Sequence, residues 1–104
     1  MSDYRWKALV SARPDLLDAF AQDGVVTVQY VSAFPQHAFA VWLGTATDSE
    51  AARLRARSSI HGRVQRVLVS HGFTQQDLTE LLVLVQSQET VDRDHAGSWF
   101  YALR

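Results

Sequence analysis

Cysteine is absent from this chain of 104 residues. Structural disulfides, thiolate zinc sites and cysteine nucleophiles are therefore excluded. A chain without thiols suits a reducing compartment, and the expected location is the cytoplasm. The five glycines stand apart from one another, so no glycine-rich loop is available to cradle a phosphate. Long apolar runs are also missing. Nothing approaches the roughly 20 residues needed to cross a bilayer, and Asp3, Arg5 and Lys7 stand where a signal peptide would place its apolar core. Neither a membrane span nor a secretory leader is expected.

Signature spacings are lacking too. The histidines His37, His61, His71 and His95 fall in four separate elements without an HxH or HExxH pattern. No zinc or other metal site and no cofactor is expected from them. There is no GxSxG elbow to mark a hydrolase nucleophile. Acidic residues are missing between Glu50 and Asp77, a stretch that holds Arg53, Arg55, Arg57, Arg63 and Arg66. The whole chain nevertheless carries a net charge of −1, too little positive charge for general nucleic-acid affinity. The basic stretch reads as a solvated helix face or a dock for an acidic protein.

What is present is enough for one core. Hydrophobic residues make up 47 % of the chain, which supports a single domain over residues 1–104. Trp6, Leu9 and Val10, then Leu16, Leu17 and Phe20 after Pro14, suit two short helices or one bent one, closed by Gly24. Val25 to Phe34 alternates β-branched and aromatic residues, with Val26, Val28, Tyr30 and Phe34 on one face. Pro35-Gln36 turns the chain, and His37 to Leu43 returns with Phe39, Val41 and Leu43 opposite Trp42. Thr47-Asp48-Ser49-Glu50 is a capping box opening a helix to about Arg57. A second helical stretch from Ile60 to His71 points Ile60, Val64, Val67 and Leu68 inward and stops at Gly72.

The last quarter organises the remainder. Thr74 to Val85 fits either a helix, with Leu78, Leu81, Leu82 and Val85 as its apolar positions, or a buried strand, and a strand from about Leu81 to Gln88 is preferred because Trp99 to Leu103 then has a partner. The polar run between them becomes the connection of a second hairpin. The expected fold is α+β, in the order helix–hairpin–helix–hairpin. It has a four-stranded, mainly antiparallel sheet with helices packed on one face.

That polar run is also the densest set of ionisable groups, with Glu89, Asp92, Arg93, Asp94 and His95 close together. Acids beside aromatics on an open sheet face have the composition of a protein-contact surface. The expected contact residues are Glu89, Asp92, Asp94, Trp99 and Tyr101. The expected function is a small protein-binding module, of the inhibitor or immunity type, that neutralises a bacterial toxin or effector through complementary charge. One alternative is a small enzyme or ligand-binding domain using Glu89, Asp92 and His95. Another is a homodimer paired through the open sheet faces.

Overall fold

The computed structural model describes residues 4–32 and 39–99. Helix α1 spans Tyr4–Ala19 and leads through a short 3-10 turn, Ala21–Asp23, into strand β1, Val25–Ser32. Strand β2 is Phe39–Thr45. Helices α2, Asp48–Arg55, and α3, Ile60–Ser70, follow. Strand β3 is Leu81–Ser87 and helix α4 is Gln88–Asp94. None of the described helices is long and apolar enough to cross a membrane.

The α+β class stands, but the expected sheet does not. It has three strands in the order β1-β2-β3. β1 and β2 pair antiparallel, whereas β2 and β3 pair parallel. The second hairpin is therefore absent from the described residues. Its polar connection folds as α4, and Trp99 is helical, not extended. Two physical causes account for this. The chain between β2 and β3 holds two helices, the kind of crossover that returns a strand in the same direction. Ser87 then ends β3 as an N-cap, its hydroxyl accepting from Thr90 N–H at 3.0 Å. The expected strand beyond Trp99, with Tyr101, and the Pro35-Gln36 turn lie outside the described residues.

The first hairpin forms as expected, with Val28 opposite Leu43 and Tyr30 opposite Val41. One face differs. The register shifts between Val25 and Thr27, and this bulge turns Val25 into the core while Val26 faces solvent. Helix α1 is continuous through Pro14.

Helices α1, α2 and α3 cover one sheet face. Leu9, Ala12, Leu16, Leu54, Val64 and Leu68 pack there with Val28, Val41, Leu43, Leu81 and Val85. The opposite face presents Thr27, Gln29 and Val31 from β1, Ala40, Trp42 and Gly44 from β2, and Leu82, Leu84 and Gln86 from β3, matched row by row in the register. Gly44 is required there. A Cβ at that position would meet Thr27 Cγ2 at 2.4 Å and the Trp99 ring at 3.0 Å, so the indole lies on the sheet only because the side chain is missing.

Several polar ties fix the helices. The capping box at Thr47 and Glu50 is formed in both directions. A second reciprocal pair joins Thr74 and Asp77, with Asp77 N–H donating to Thr74 Oγ1 at 3.1 Å and Thr74 N–H to Asp77 Oδ2 at 2.9 Å. The Asp77 carboxylate also meets Arg5 of α1 at 3.5 Å, and both side chains are buried.

Candidate functional site

Parallel pairing sets Thr45 beside Ser87 at the C-terminal ends of β2 and β3. Helices α2 and α4 begin immediately beyond these residues. Strand ends of this kind, with helix N-termini above them, are where open α/β sheets gather polar chemistry. Asp48 is the hub of the junction. The Ser87 hydroxyl donates to its Oδ1, Thr90 Oγ1 reaches the same oxygen at 2.8 Å, and Arg93 Nη1 donates to Oδ2 at 3.1 Å. Arg93 Nη2 also reaches Thr90 Oγ1 at 3.1 Å. In return, Glu89 Oε1 accepts from Asp48 N–H at 2.7 Å. Below the hub, Thr45 Oγ1 donates to the Thr47 carbonyl at 2.9 Å.

These donors hold the Asp48 carboxyl at about 2. The Ser87 hydrogen bond contributes most, followed by Thr90 and Arg93. The same contacts hold the Arg93 guanidinium more firmly charged, chiefly through Asp48. A carboxylate fixed in its charged form is a poor proton donor at neutral pH. Ser87 is fully buried with its hydrogen committed to Asp48, so it is no free nucleophile. The junction is a clasp that orients α4.

The clasp redistributes the residues expected from sequence to form a surface. Glu89 stays exposed and caps α2 through the Asp48 N–H. Asp92 is exposed and accepts from Gln88 Nε2 at 2.8 Å. Asp94 is exposed beside Arg93 Nε at 3.3 Å. Trp99 Nε1 donates to Gln88 Oε1 at 2.9 Å, which joins α4 to the open sheet face. Tyr101 lies outside the described residues. His95 ends α4, its N–H donating to the Val91 carbonyl at 2.9 Å. Glu89 and Asp92 are thus engaged by different partners, the Asp48 N–H and Gln88 Nε2. Sequence reasoning missed Asp48, Thr90 and Arg93. The local signal was Ser87 three residues before Thr90 with Glu89 between, a helix-start pattern.

Two further groupings carry chemistry-bearing residues. Ser11 and Asp15, one turn apart on α1, meet His71 at the end of α3. Ser11 Oγ lies 3.1 Å from Nδ1 and Asp15 Oδ2 lies 2.6 Å from Nε2. The serine hydroxyl also donates to the Ala8 carbonyl at 3.1 Å, and the Asp15 side chain is 61 % exposed. A catalytic triad instead aims its hydroxyl at substrate and buries its acid, so this trio clamps α1 to α3. The other grouping is an open concavity of about 780 Å³ lined by Asp18, Gln22, Asp23, Arg57, Ser59 and Arg63. Asp23 bridges Arg57 at 3.4 Å and Arg63 at 2.8 Å, and two acids balance two arginines. Arg55 is used internally as well, donating to the Val85 carbonyl at 2.7 Å. Much of the basic stretch therefore serves the fold. Among the described residues, no group of three histidine or acidic side chains is arranged to hold a metal ion. The chain matches no protein-family profile, no curated protein and no solved structure.

Proposed function

We propose that this chain is a protein-binding module that acts as an inhibitor, covering a surface of a toxin or effector. The supporting observation is the open sheet face. Register places Val31 and Leu82 in one row, either side of the buried Ala40, and Trp42 and Leu84 in the next, with Val31 and Leu82 exposed. Trp99 closes one end of this patch over Gly44. Asp92 and Asp94 stand on α4 beyond it. An apolar centre with an acidic rim fits a partner whose own patch is apolar with a basic rim, where burial supplies affinity and charge supplies approach rate.

The test uses the tagged chain to isolate a partner from extracts of its source cell, followed by calorimetry with the purified pair. Leu82→Asp changes the apolar centre, and Asp92→Lys with Asp94→Lys reverses the rim. All three positions are exposed, so the fold tolerates the changes. A 1:1 partner that loses at least tenfold in affinity with each variant supports the reading. A partner held equally by both variants, or no stoichiometric partner, ends it.

A further inference from the structure

The two outer edges of the sheet are unequal. On β3 the Val85 carbonyl accepts from Arg55, and the Leu81 carbonyl lies 3.2 Å from His61 Nε2. On β1, among the described residues, the one backbone bond reaching outside the sheet is Val25 N–H to the Phe20 carbonyl. From Thr27 onward the strand is regular and its outer backbone groups face outward. Its sequence, VVTVQYVS, holds no charge, proline or glycine. Edge strands that must stay unpaired usually carry such residues or lie under a cover. Val26 is 63 % exposed and Val31 is exposed as well.

Helix α1 extends this edge. Its buried positions, Leu9, Ala12 and Leu16, face the core, and Ser11 and Asp15 face α3 through His71. Trp6, Val10, Arg13 and Leu17 recur at intervals of four, three and four, so they form a stripe on the other flank. Arg13 locates that flank. Its guanidinium lies 5.1 Å from the ring centre of Tyr30, on β1. The stripe therefore runs along the β1 side, where Val10 is 69 % exposed and Trp6 is exposed too.

We propose that the β1 edge and the Trp6–Val10 flank of α1 form a two-fold interface with a second copy of this chain. Each β1 pairs antiparallel with its counterpart, and the sheet continues through both copies. A second copy is the occupant that suits both features at once. Antiparallel edge pairing is self-complementary under a two-fold axis normal to the sheet. The same axis sets both helix layers on one side, so the Trp6–Val10 flank of one α1 approaches its equivalent. The uncharged strand offers nothing to select a charged foreign segment and nothing to repel its own copy. This interface shares Val31 with the open face assigned to the partner above but does not reach Leu82 on β3.

Sedimentation of the full chain across micromolar to millimolar concentration tests the proposal, with hydrogen exchange of the β1 amides as the second readout. The expected result is a reversible dimer, with alternate β1 amides gaining protection as concentration rises. Val26→Lys with Val31→Lys should weaken dimerisation at least a hundredfold while the far-ultraviolet circular dichroism stays unchanged. Leu82→Lys, on the open face near the opposite edge, should leave the dimer intact. A wild-type chain that stays monomeric at millimolar concentration overturns the proposal. So does a dimer that survives the β1 lysines, or one that Leu82→Lys breaks.

Discussion

Removing Arg5 from its buried pairing with Asp77 should be among the most damaging single changes to this fold. The two side chains are 6 % and 8 % exposed and 3.5 Å apart. At an effective dielectric constant of about 20, that separation corresponds to an attraction of roughly 5 kcal/mol. Desolvation of both ions opposes it, so the pair as a whole contributes much less than its Coulomb energy. The asymmetry lies in breaking it. Arg5→Met removes the cation, fills similar volume and leaves the Asp77 carboxylate buried beside the Thr74 amide. The expected loss is about 3–5 kcal/mol, a large part of the roughly 5–15 kcal/mol that holds a domain of this size together.

Asp77→Leu should lose a similar amount for a different reason. It removes the carboxylate that Arg5 meets and also the acceptor of Thr74 N–H, a hydrogen-bond loss of about 1 kcal/mol. The double variant Arg5→Met/Asp77→Leu buries no charge and should recover most of the loss. Urea unfolding of all four proteins gives the double-mutant cycle. Because the double variant should lose much less than the sum of the two single variants, a coupling energy of about 4 kcal/mol or more is expected. If Arg5→Met alone costs less than about 1 kcal/mol, Asp77 reaches water without its partner, and the reasoning from burial is wrong.

Other consequences can be checked in the same preparations. The Asp48 carboxyl is held at about 2 by Ser87, Thr90 and Arg93, so the unfolded chain takes up its proton before the folded chain does. Its contribution is complete above the ordinary carboxylate range and is lost as pH falls from about 4 towards 2. Asp48→Asn should therefore flatten that part of an acid-unfolding curve, and a superimposable acid limb would contradict the clasp. The Tyr30 phenol is pushed up to about 12, chiefly by burial and against the attraction of Arg13, while its hydroxyl donates to the Leu9 carbonyl at 2.9 Å. Stability tied to the neutral phenol is present below about pH 10 and lost as pH rises through 12. The ultraviolet difference between wild type and Tyr30→Phe should carry that late titration, and a midpoint near 10 would refute it. Gly44→Ala should cost about 1–3 kcal/mol by overpacking and shift the Trp99 indole proton resonance, since the added methyl meets Thr27 and the Trp99 ring. Thr27→Ser should relieve part of that loss, and a Gly44→Ala variant with unchanged stability would show that the ring is not seated on the sheet.

The parts of the fold legible in the sequence are those specified within a few residues. The first hairpin follows from alternation in Val28-Gln29-Tyr30 and Val41-Trp42-Leu43. The start of α2 follows from Thr47 and Glu50, and Gly72 adopts the positive φ of a helix stop. The bulge that separates Val25 from Val26 was not legible, because both residues are valine and only the register distinguishes them. Leu81 to Ser87 was legible as a strand, but its direction was not. Five apolar residues in a row carry no face, and parallel pairing is decided by the two-helix crossover that precedes them. Helix α4 escaped notice because it has seven residues and a single buried apolar side chain, Val91, too few for a periodic signal. The candidate site depends on two of these features, the direction of β3 and helix α4. Asp48 and Ser87 are brought together by the Thr45–Ser87 register, which no local pattern encodes.

That register also poses an electrostatic problem, and Asp48 and Glu89 answer it. Two helices that start side by side bring two positive dipole ends and two sets of unbonded N–H groups together. The fold interleaves one carboxylate from each helix. Glu89, from the first turn of α4, accepts the first N–H of α2. Asp48, the first residue of α2, takes the Ser87 and Thr90 hydroxyls at the start of α4. Arg93, one turn along α4, then answers the added negative charge at Asp48. The exchange fixes α4 against the end of the sheet, which in turn sets Gln88 where it receives the Trp99 indole. The acids expected from sequence to act alike are thereby divided. Glu89 is consumed in holding the two helix starts together, and Asp92 and Asp94 remain turned to solvent at the margin of the open face.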